Sequence, residues 1–142
     1  MKIYLSSSAP PSHNDAHKWV SSLEALDMLV STSEASSIIC DRFLSTIEFD
    51  RLEEALKIII SKMRIGCELL ILNPDISVLS QRFVGEEIDL LAMNEILFKN
   101  GPIKSVTPIE TIEQLLPPNV NIFSKHFDLF TSEIIIKARR SS

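Results

Sequence analysis

The pattern of apolar and polar positions predicts strands that alternate with helices. Short apolar runs stand at residues 2–6, 36–41 and 69–72. Runs without polar alternation are typical of strands that are covered on both faces. Apolar residues recur at helical spacing over residues 49–63, which predicts a helix with one wide apolar face. The stretch Ser36–Asp75 therefore predicts one β-α-β unit of a parallel sheet.

Three helix starts are predicted from capping boxes, in which Glu follows a Ser or Thr by three residues. These boxes are Ser21 with Glu24, Ser45 with Glu48, and Thr107 with Glu110. The first lies in a helical segment over residues 18–31 and predicts a start near Ser22. The third predicts a short helix that ends at Leu116, before two prolines. Gly66 is expected to take a left-handed conformation after the helix over residues 49–63.

The rest of the chain completes an α/β pattern within a single domain over residues 1–142. Residues 76–98 are predicted to be helical, with a break near Gly85. Residues 120–127 and 132–138 predict two strands in an antiparallel hairpin. The segments 6–17 and 99–106 are expected to be loops. Strands followed by helices favour a mostly parallel sheet with an antiparallel addition at the C-terminus.

Composition and charge exclude several classes of protein. Hydrophobic residues make up 45% and charged residues 23% of the chain, which argues against disorder. The net charge of −5 leaves no basic footprint for nucleic acid. Lys137, Arg139 and Arg140 form a small basic cluster, which is either a solvated strand end or a phosphate site.

Cysteine usage and hydropathy predict a cytoplasmic protein or a part of a particle that is assembled inside the cell. Cys40 and Cys67 are expected to be free, buried thiols rather than a disulfide. After Met1 and Lys2 the first apolar run covers only three residues, so no secretory signal is predicted. No apolar run approaches the ~18 residues that a membrane span needs.

Residues 34–140 resemble the second half of a class I S-adenosylmethionine-dependent methyltransferase. The segments that carry the resemblance are SSIICDRFLSTI, RIGCELLILNPD, MNEILFKNGPIKSVTP and the closing IIIKARR. The resemblance is to pattern and order, and it implies a reduced, three-layer Rossmann-like fold. An asparagine-containing loop segment also resembles virus-encoded members, which implies a structural part in a virus particle.

The first part of the chain departs from that family's pattern. The family carries a glycine-rich loop after its first strand, where the missing Cβ lets the backbone approach the cofactor. Residues 6–10 of this chain are Ser-Ser-Ser-Ala-Pro. The family also carries an acidic residue after its second strand, which holds the ribose hydroxyls. Only about 30 residues separate Leu5 from Ser37, too few for the usual helices and strands, so this half is expected to be reduced and its cofactor site degenerate.

Candidate site residues follow from the edge where strands of an open α/β sheet end. Ser6, Ser8, Asp41 and Asp75 are the candidates for binding S-adenosylmethionine, if the protein is active; otherwise no cofactor is expected. Asn73 ends the same strand as Asp75. The alternative for Asp41, Asn73 and Asp75 is a plain role in a strand end or turn. The histidines have no ligand spacing, and neither a metal site nor a catalytic residue is predicted.

Two kinds of function follow. One is a non-catalytic, methyltransferase-like module that binds or assembles with protein partners or with itself. A protein can keep its fold after it has lost the cofactor site, because one fold can host many functions. An exposed sheet edge beside the first strand would favour such association. The alternative is a minimal active methyltransferase, in which the backbone of residues 6–8 replaces the glycines and Asp41 or Asp75 contacts cofactor or substrate. Methyl transfer needs mainly positioning of donor and acceptor, so few catalytic groups are required.

Overall fold

The computed structural model describes residues 1–10, 16–98, 103–128, 130 and 132–142. Parts of the predicted loops, including His13, and two positions of the predicted hairpin turn lie outside these ranges.

One six-stranded sheet forms the centre of the molecule, in the order β2-β1-β3-β4-β6-β5. The strands are β1 (Lys2–Leu5), β2 (Lys18–Val20), β3 (Ala35–Asp41), β4 (Met63–Pro74), β5 (Val120–Asp128) and β6 (Glu133–Arg140). Strands β1 to β4 pair in parallel, whereas β6 pairs antiparallel with both β4 and β5. The predicted mostly parallel, Rossmann-like sheet with a C-terminal antiparallel hairpin is confirmed.

Five α-helices lie between the strands of the described chain. They are α1 (Leu23–Leu29), α2 (Leu52–Lys62), α3 (Ile76–Val84), α4 (Leu90–Phe98) and α5 (Ile109–Leu115). The predicted break near Gly85 separates α3 from α4, and Gly85 caps the end of α3. In the part of the chain that the structure describes, no helix has the length and apolarity to cross a bilayer.

The main hydrophobic core lies on one face of the sheet, which we call the first face. Side chains that alternate along the strands point into it, as Ile3 and Leu5 of β1 and Leu69 and Ile71 of β4 do, and all of these are buried. Helices α1, α2 and α5 cover this face. Their buried residues belong to the same cluster as the strand residues: Leu23, Leu26, Leu52, Ala55, Leu56, Ile59, Ile60 and Ile112.

The segment predicted to be helical over residues 18–31 is helical only from the predicted start near Ser22, because residues 18–20 form strand β2. Residues 18–20 pair in parallel with β1, in the register Tyr4 to Trp19. Helix α1 begins after Ser22, whose side chain accepts a hydrogen bond from the amide of Ala25 at 3.1 Å. The predicted box of Ser21 with Glu24 is therefore wrong by one residue. Strand β2 was not predicted from the sequence; it and α1 are the elements that the described chain has between β1 and β3.

The helix after β3 and the strand that follows it also differ from prediction. Two single 3-10 turns precede α2, and the Ser45 hydroxyl donates to the carbonyl of Arg42 at 2.8 Å instead of capping a helix. Gly66 has the predicted positive φ, 85°. It lies inside β4, however, because α2 ends at Lys62 and β4 begins at Met63. A register shift opposite Ala35 to Ser37 places Gly66 in a bulge of β4.

Helix α5 begins without the predicted capping box. Its N-cap is Pro108, which makes no side-chain hydrogen bond. Thr107 instead forms an isolated parallel bridge with Asp75. The amide of Ile109 donates to the carboxylate of Asp75 at 2.8 Å, and Asp75 lies 34 residues before Ile109 in the chain. Asp75 therefore caps α5, which is the role that was predicted for Thr107.

Candidate functional site

A cleft of about 340 Å³ lies at the carboxyl ends of β1 and β3. These strands are parallel neighbours, with Leu5 opposite Cys40, so the residues that follow them meet at one edge of the sheet. The cleft is lined by Ser6, Ser7, Ser8, Ala9, Asp41, Arg42 and Glu133. Three of the four predicted candidates, Ser6, Ser8 and Asp41, therefore lie together.

The loop after β1 is held by hydrogen bonds within the protein. Ser6 is buried; its amide donates to the carbonyl of Val20 at 3.3 Å. Its carbonyl accepts from the indole of Trp19 at 3.0 Å. The amide of Ser8 donates to the Ser6 hydroxyl oxygen at 3.3 Å. Both main-chain polar groups of Ser6 thus bind the β2 segment instead of facing the cleft.

Asp41 is bound to the neighbouring strand through its carboxylate. It accepts a hydrogen bond from the Tyr4 hydroxyl. Burial, followed by the hydrogen bond and charge of Asp41, raises the pKa of Tyr4 above its usual range. Tyr4 therefore stays a protonated donor to Asp41, and this pair fixes the carboxylate at the floor of the cleft.

Arg42 and Glu133 also line the cleft and form an ion pair. The guanidinium donates to both carboxylate oxygens, at 2.9 and 3.2 Å, in a bidentate geometry. Arg42 has a φ of 53°, and its amide donates to the carbonyl of Leu72 at 2.8 Å. A non-glycine residue held in the left-handed region occurs mostly at turns and functional sites. Neither residue was predicted from the sequence. Glu133 is the first residue of β6, and no local pattern indicates that it pairs with Arg42, 91 residues earlier.

A second cavity of about 260 Å³ adjoins the cleft and shares Ser7 with it. Its polar lining includes Ser21, Ser22 and Glu24, which follow the carboxyl end of β2, as well as Arg51 and Lys104. The resemblance implies an acidic residue after the second strand, and Glu24 is the carboxylate that this chain has there. It was not among the candidates, since β2 itself was not predicted.

Asp75 and Asn73 lie apart from both cavities. The Asp75 carboxylate accepts from the amides of Val78, at 3.1 Å, and Ile109, so it caps α3 and ties α5 to it. Asn73 is buried, and its Oδ1 has no hydrogen-bond partner among the residues that the structure describes. Its amide nitrogen reaches only the carbonyl of Pro74, at 3.4 Å. Neither residue contributes to the cleft.

The remaining candidates do not form a site. Cys40 and Cys67 are both free and buried; burial raises the pKa of the Cys40 thiol to about 12. Arg139 pairs with Glu68 at 2.5 Å, while Arg140 donates to the carbonyl of Ile60 at 3.3 Å, so the basic residues of β6 do not converge. No group of three or more potential metal ligands occurs among the described residues.

No protein-family profile and no curated protein match the sequence. Solved structures do, at low identity. A S-adenosylmethionine-dependent methyltransferase from Archaeoglobus fulgidus has a TM-score of 0.57 and 12% identity over 90% of this chain and 70% of its own. The 1,6-didemethyltoxoflavin N1-methyltransferase of Burkholderia thailandensis, solved with S-adenosylhomocysteine, has a TM-score of 0.59 and 11% identity over 99% of this chain and 62% of its own.

A third similar structure is the magnesium protoporphyrin IX methyltransferase of Synechocystis PCC 6803, also solved with S-adenosylhomocysteine. Its TM-score is 0.57, with 12% identity over 88% of this chain and 52% of its own. The chain thus spans between 52% and 70% of the length of these three proteins. The similarity shows that this chain has the fold of the class I S-adenosylmethionine-dependent methyltransferases.

Proposed function

We propose that this chain is a methyltransferase-fold protein that binds protein partners or other copies of itself and does not transfer methyl groups. The observation that carries the proposal is the loop after β1. Its residues 6–10 contain no glycine, and both main-chain polar groups of Ser6 are bonded to the β2 segment. A cofactor at this edge would find Cβ atoms where the fold's cofactor-binding members have glycines.

The charged groups of the cleft support the same proposal. Asp41 is paired with Tyr4, and Arg42 is paired with Glu133 through two hydrogen bonds. A ligand would have to break these pairs, and a half-buried charge that loses its partner is costly. The groups of the cleft are thus satisfied without a cofactor.

Calorimetric titration of the full chain with S-adenosylmethionine, and separately with S-adenosylhomocysteine, tests this proposal. We expect no binding heat with either compound. The emission of Trp19, the only tryptophan, provides a second readout because its indole is bonded to the loop after β1. A dissociation constant in the micromolar range for either compound would overturn the proposal.

A second candidate is a minimal active methyltransferase, which the two adjoining cavities favour. Together they follow the carboxyl ends of β1, β2 and β3, and the larger one lies at the lower end of ordinary ligand sites, about 300–1,000 Å³. In this case S-adenosylmethionine is the cofactor, with Asp41 and the loop over residues 6–8 in contact with it. Asp41→Ala should then weaken binding at least tenfold, whereas Asp50→Ala, an exposed control outside both cavities, should leave it unchanged.

The proposal includes a cytoplasmic location, which the two free, buried cysteines support because free thiols are typical of reducing compartments. The association with a virus particle stays a prediction. Its test is whether the chain co-purifies with particles from the cells that produce it.

A further inference from the structure

The second face of the sheet, opposite the main core, carries an apolar band that is not buried. Strand register places Trp19, Tyr4, Ile39 and Leu70 side by side in one row. Leu72 and Ile135 stand together in the next row. All six residues are half-buried or exposed, whereas their neighbours on the first face, such as Ile38 and Ile71, are fully buried. We call these six residues the second-face band.

A depression of about 320 Å³ crosses the second-face band. Its floor includes Ile39 and Leu70, and its rim includes Phe123, Lys137 and His17. Phe123 is 53% exposed. Lys137 is exposed and forms no ion pair with any described residue. Both ring nitrogens of His17 lack a hydrogen-bond partner in the described chain. Glu68 also lines the depression, but it is paired with Arg139 at 2.5 Å. The depression is therefore apolar at its floor and offers the free cation Lys137 at its rim.

Helix α4 is the second unusual feature, because its apolar residues are not buried. Its sequence is LLAMNEILF, and none of its residues is buried. Leu90 and Leu91 are 66% and 68% exposed, and Phe98 is also exposed. A helix that is apolar on most sides is ordinarily buried, and an exposed apolar patch of this kind marks an interaction site.

We propose that helix α4 of a second copy of this chain covers the second-face band. This inference rests on the proposed binding function and names its partner. Parallel sheets are ordinarily covered by helices on both faces, and the band and α4 are respectively a sheet face and a helix that the described chain leaves uncovered. The charges are complementary: Glu86, Asp89 and Glu95 are exposed in and just before α4, and the free cation Lys137 lies at the rim of the depression.

A membrane surface fits α4 less well than a second copy does. The same three carboxylates would face anionic lipid headgroups, which attract basic and not acidic helices. The helix has nine residues, a length of about 13 Å at 1.5 Å per residue. The chain as a whole carries a net charge of −5, which adds to the repulsion.

The presence of both surfaces on every copy indicates a closed dimer. A single contact would leave one band and one α4 helix of the pair uncovered. Because every copy carries both the band and α4, two copies related by a two-fold axis make the contact twice. The expected assembly is a symmetric dimer with two helix-on-sheet contacts.

Sedimentation velocity and light scattering on the full chain test the proposal. The expected mass is twice the chain mass of 16.0 kDa. Two variants should reduce it to the single-chain mass: Leu90→Asp with Leu91→Asp in α4, and Phe123→Asp with Lys137→Glu on the second face. Met28→Asp is the matched control, since Met28 is 85% exposed but lies on α1, which covers the first face. Circular dichroism of each variant verifies that it is folded.

Three outcomes would overturn the inference. One is a wild-type chain that stays at the single-chain mass at tens of micromolar. Another is a dimer that the α4 variant dissociates but the folded second-face variant does not, which would indicate contacts between α4 helices. The third is a single-chain mass together with α4-dependent binding to vesicles that contain phosphatidylserine. Because these readouts do not involve S-adenosylmethionine, the dimer can fail while the non-catalytic function stands, and the reverse.

Discussion

Asp75 shows how one carboxylate can link two segments that are far apart in sequence. One oxygen accepts from the amide of Val78 at the start of α3, and the other accepts from the amide of Ile109 at the start of α5. The residue is buried. Its position at the end of β4 is that of a ligand-binding residue in this fold, but its hydrogen bonds give it a structural role.

Replacing Asp75 should therefore destabilise the protein without altering the cleft. Asp75→Ala removes two hydrogen bonds to a charged, buried acceptor, and we expect a loss of about 2–4 kcal/mol in the free energy of unfolding. Urea unfolding followed by circular dichroism measures it. Asp50→Ala, at an exposed position, should cost less than about 1 kcal/mol. Equal losses in the two variants would contradict the capping role.

Cys40 should make stability depend on pH in the alkaline range. Burial raises the pKa of this thiol to about 12 in the folded protein, against about 8.5 in an unfolded chain. Above about pH 8.5 the unfolded chain releases a proton that the folded protein keeps, so stability falls as pH rises toward 12, by up to about 1.4 kcal/mol per pH unit.

The Cys40→Ala variant isolates this effect. Urea unfolding at about pH 8 and about pH 10 should show a smaller loss of stability on raising the pH in the variant than in the wild type. Cys67→Ala retains Cys40 but removes a second buried thiol, whose pKa burial raises to about 11, so it should show a reduction of the same kind. Met28→Ala, at an exposed position, is the control that retains both thiols. If Cys40→Ala and wild type lose the same free energy between the two pH values, the Cys40 thiol is not protected from ionisation.

At the scale of elements, apolar spacing predicted the elements that have a clear hydrophobic period. It did not predict an element that forms because it pairs with another strand. Helix α2 and the hairpin of β5 and β6 follow from apolar spacing and were predicted close to their bounds. Strand β2 has only three residues, and no local period distinguishes three residues of strand from the first turn of a helix. Residues 18–20 are a strand because β1 pairs with them, a tertiary cause that single-sequence propensity does not contain.

The sequence predicted the left-handed conformation of Gly66 correctly, but it placed the residue at the end of a helix and not inside strand β4. Its φ of 85° lies in a bulge of β4, and an added Cβ would meet no atom within 4 Å. The loss of stability on substitution therefore comes from backbone strain at positive φ and not from a steric clash of the new side chain. We expect Gly66→Ala to lower the free energy of unfolding by about 1–2 kcal/mol. Gly66→Asn should cost less, because Asn tolerates the left-handed region.

Thermal or urea unfolding of the two variants at position 66 measures this difference. Gly66→Val serves as the upper reference, since a β-branched residue is the least tolerant of positive φ. The order of stability Asn, Ala, Val, from most to least stable, is expected. An alanine variant as stable as wild type would mean that the bulge relaxes to a negative φ.

At the scale of the whole molecule, the sheet brings together residues that no local pattern connects. The sequence placed Ser6, Ser8 and Asp41 at one edge, because parallel strands end on the same side of a sheet. It could not pair Arg42 with Glu133, which lies on an antiparallel strand 91 residues away. It also could not show that α1, α2 and α5 would all cover the first face. Both the neutralised cleft and the second-face band depend on this arrangement.

The hydrogen bond from Trp19 to Ser6 gives the molecule an optical consequence. Trp19 is the only tryptophan, it is 46% exposed, and its indole donates to the carbonyl that begins the loop after β1. Near-ultraviolet excitation of the protein therefore reports mainly on the seam between β1 and β2. A red shift of the emission maximum before the loss of helical ellipticity would identify β2 as the first strand to detach.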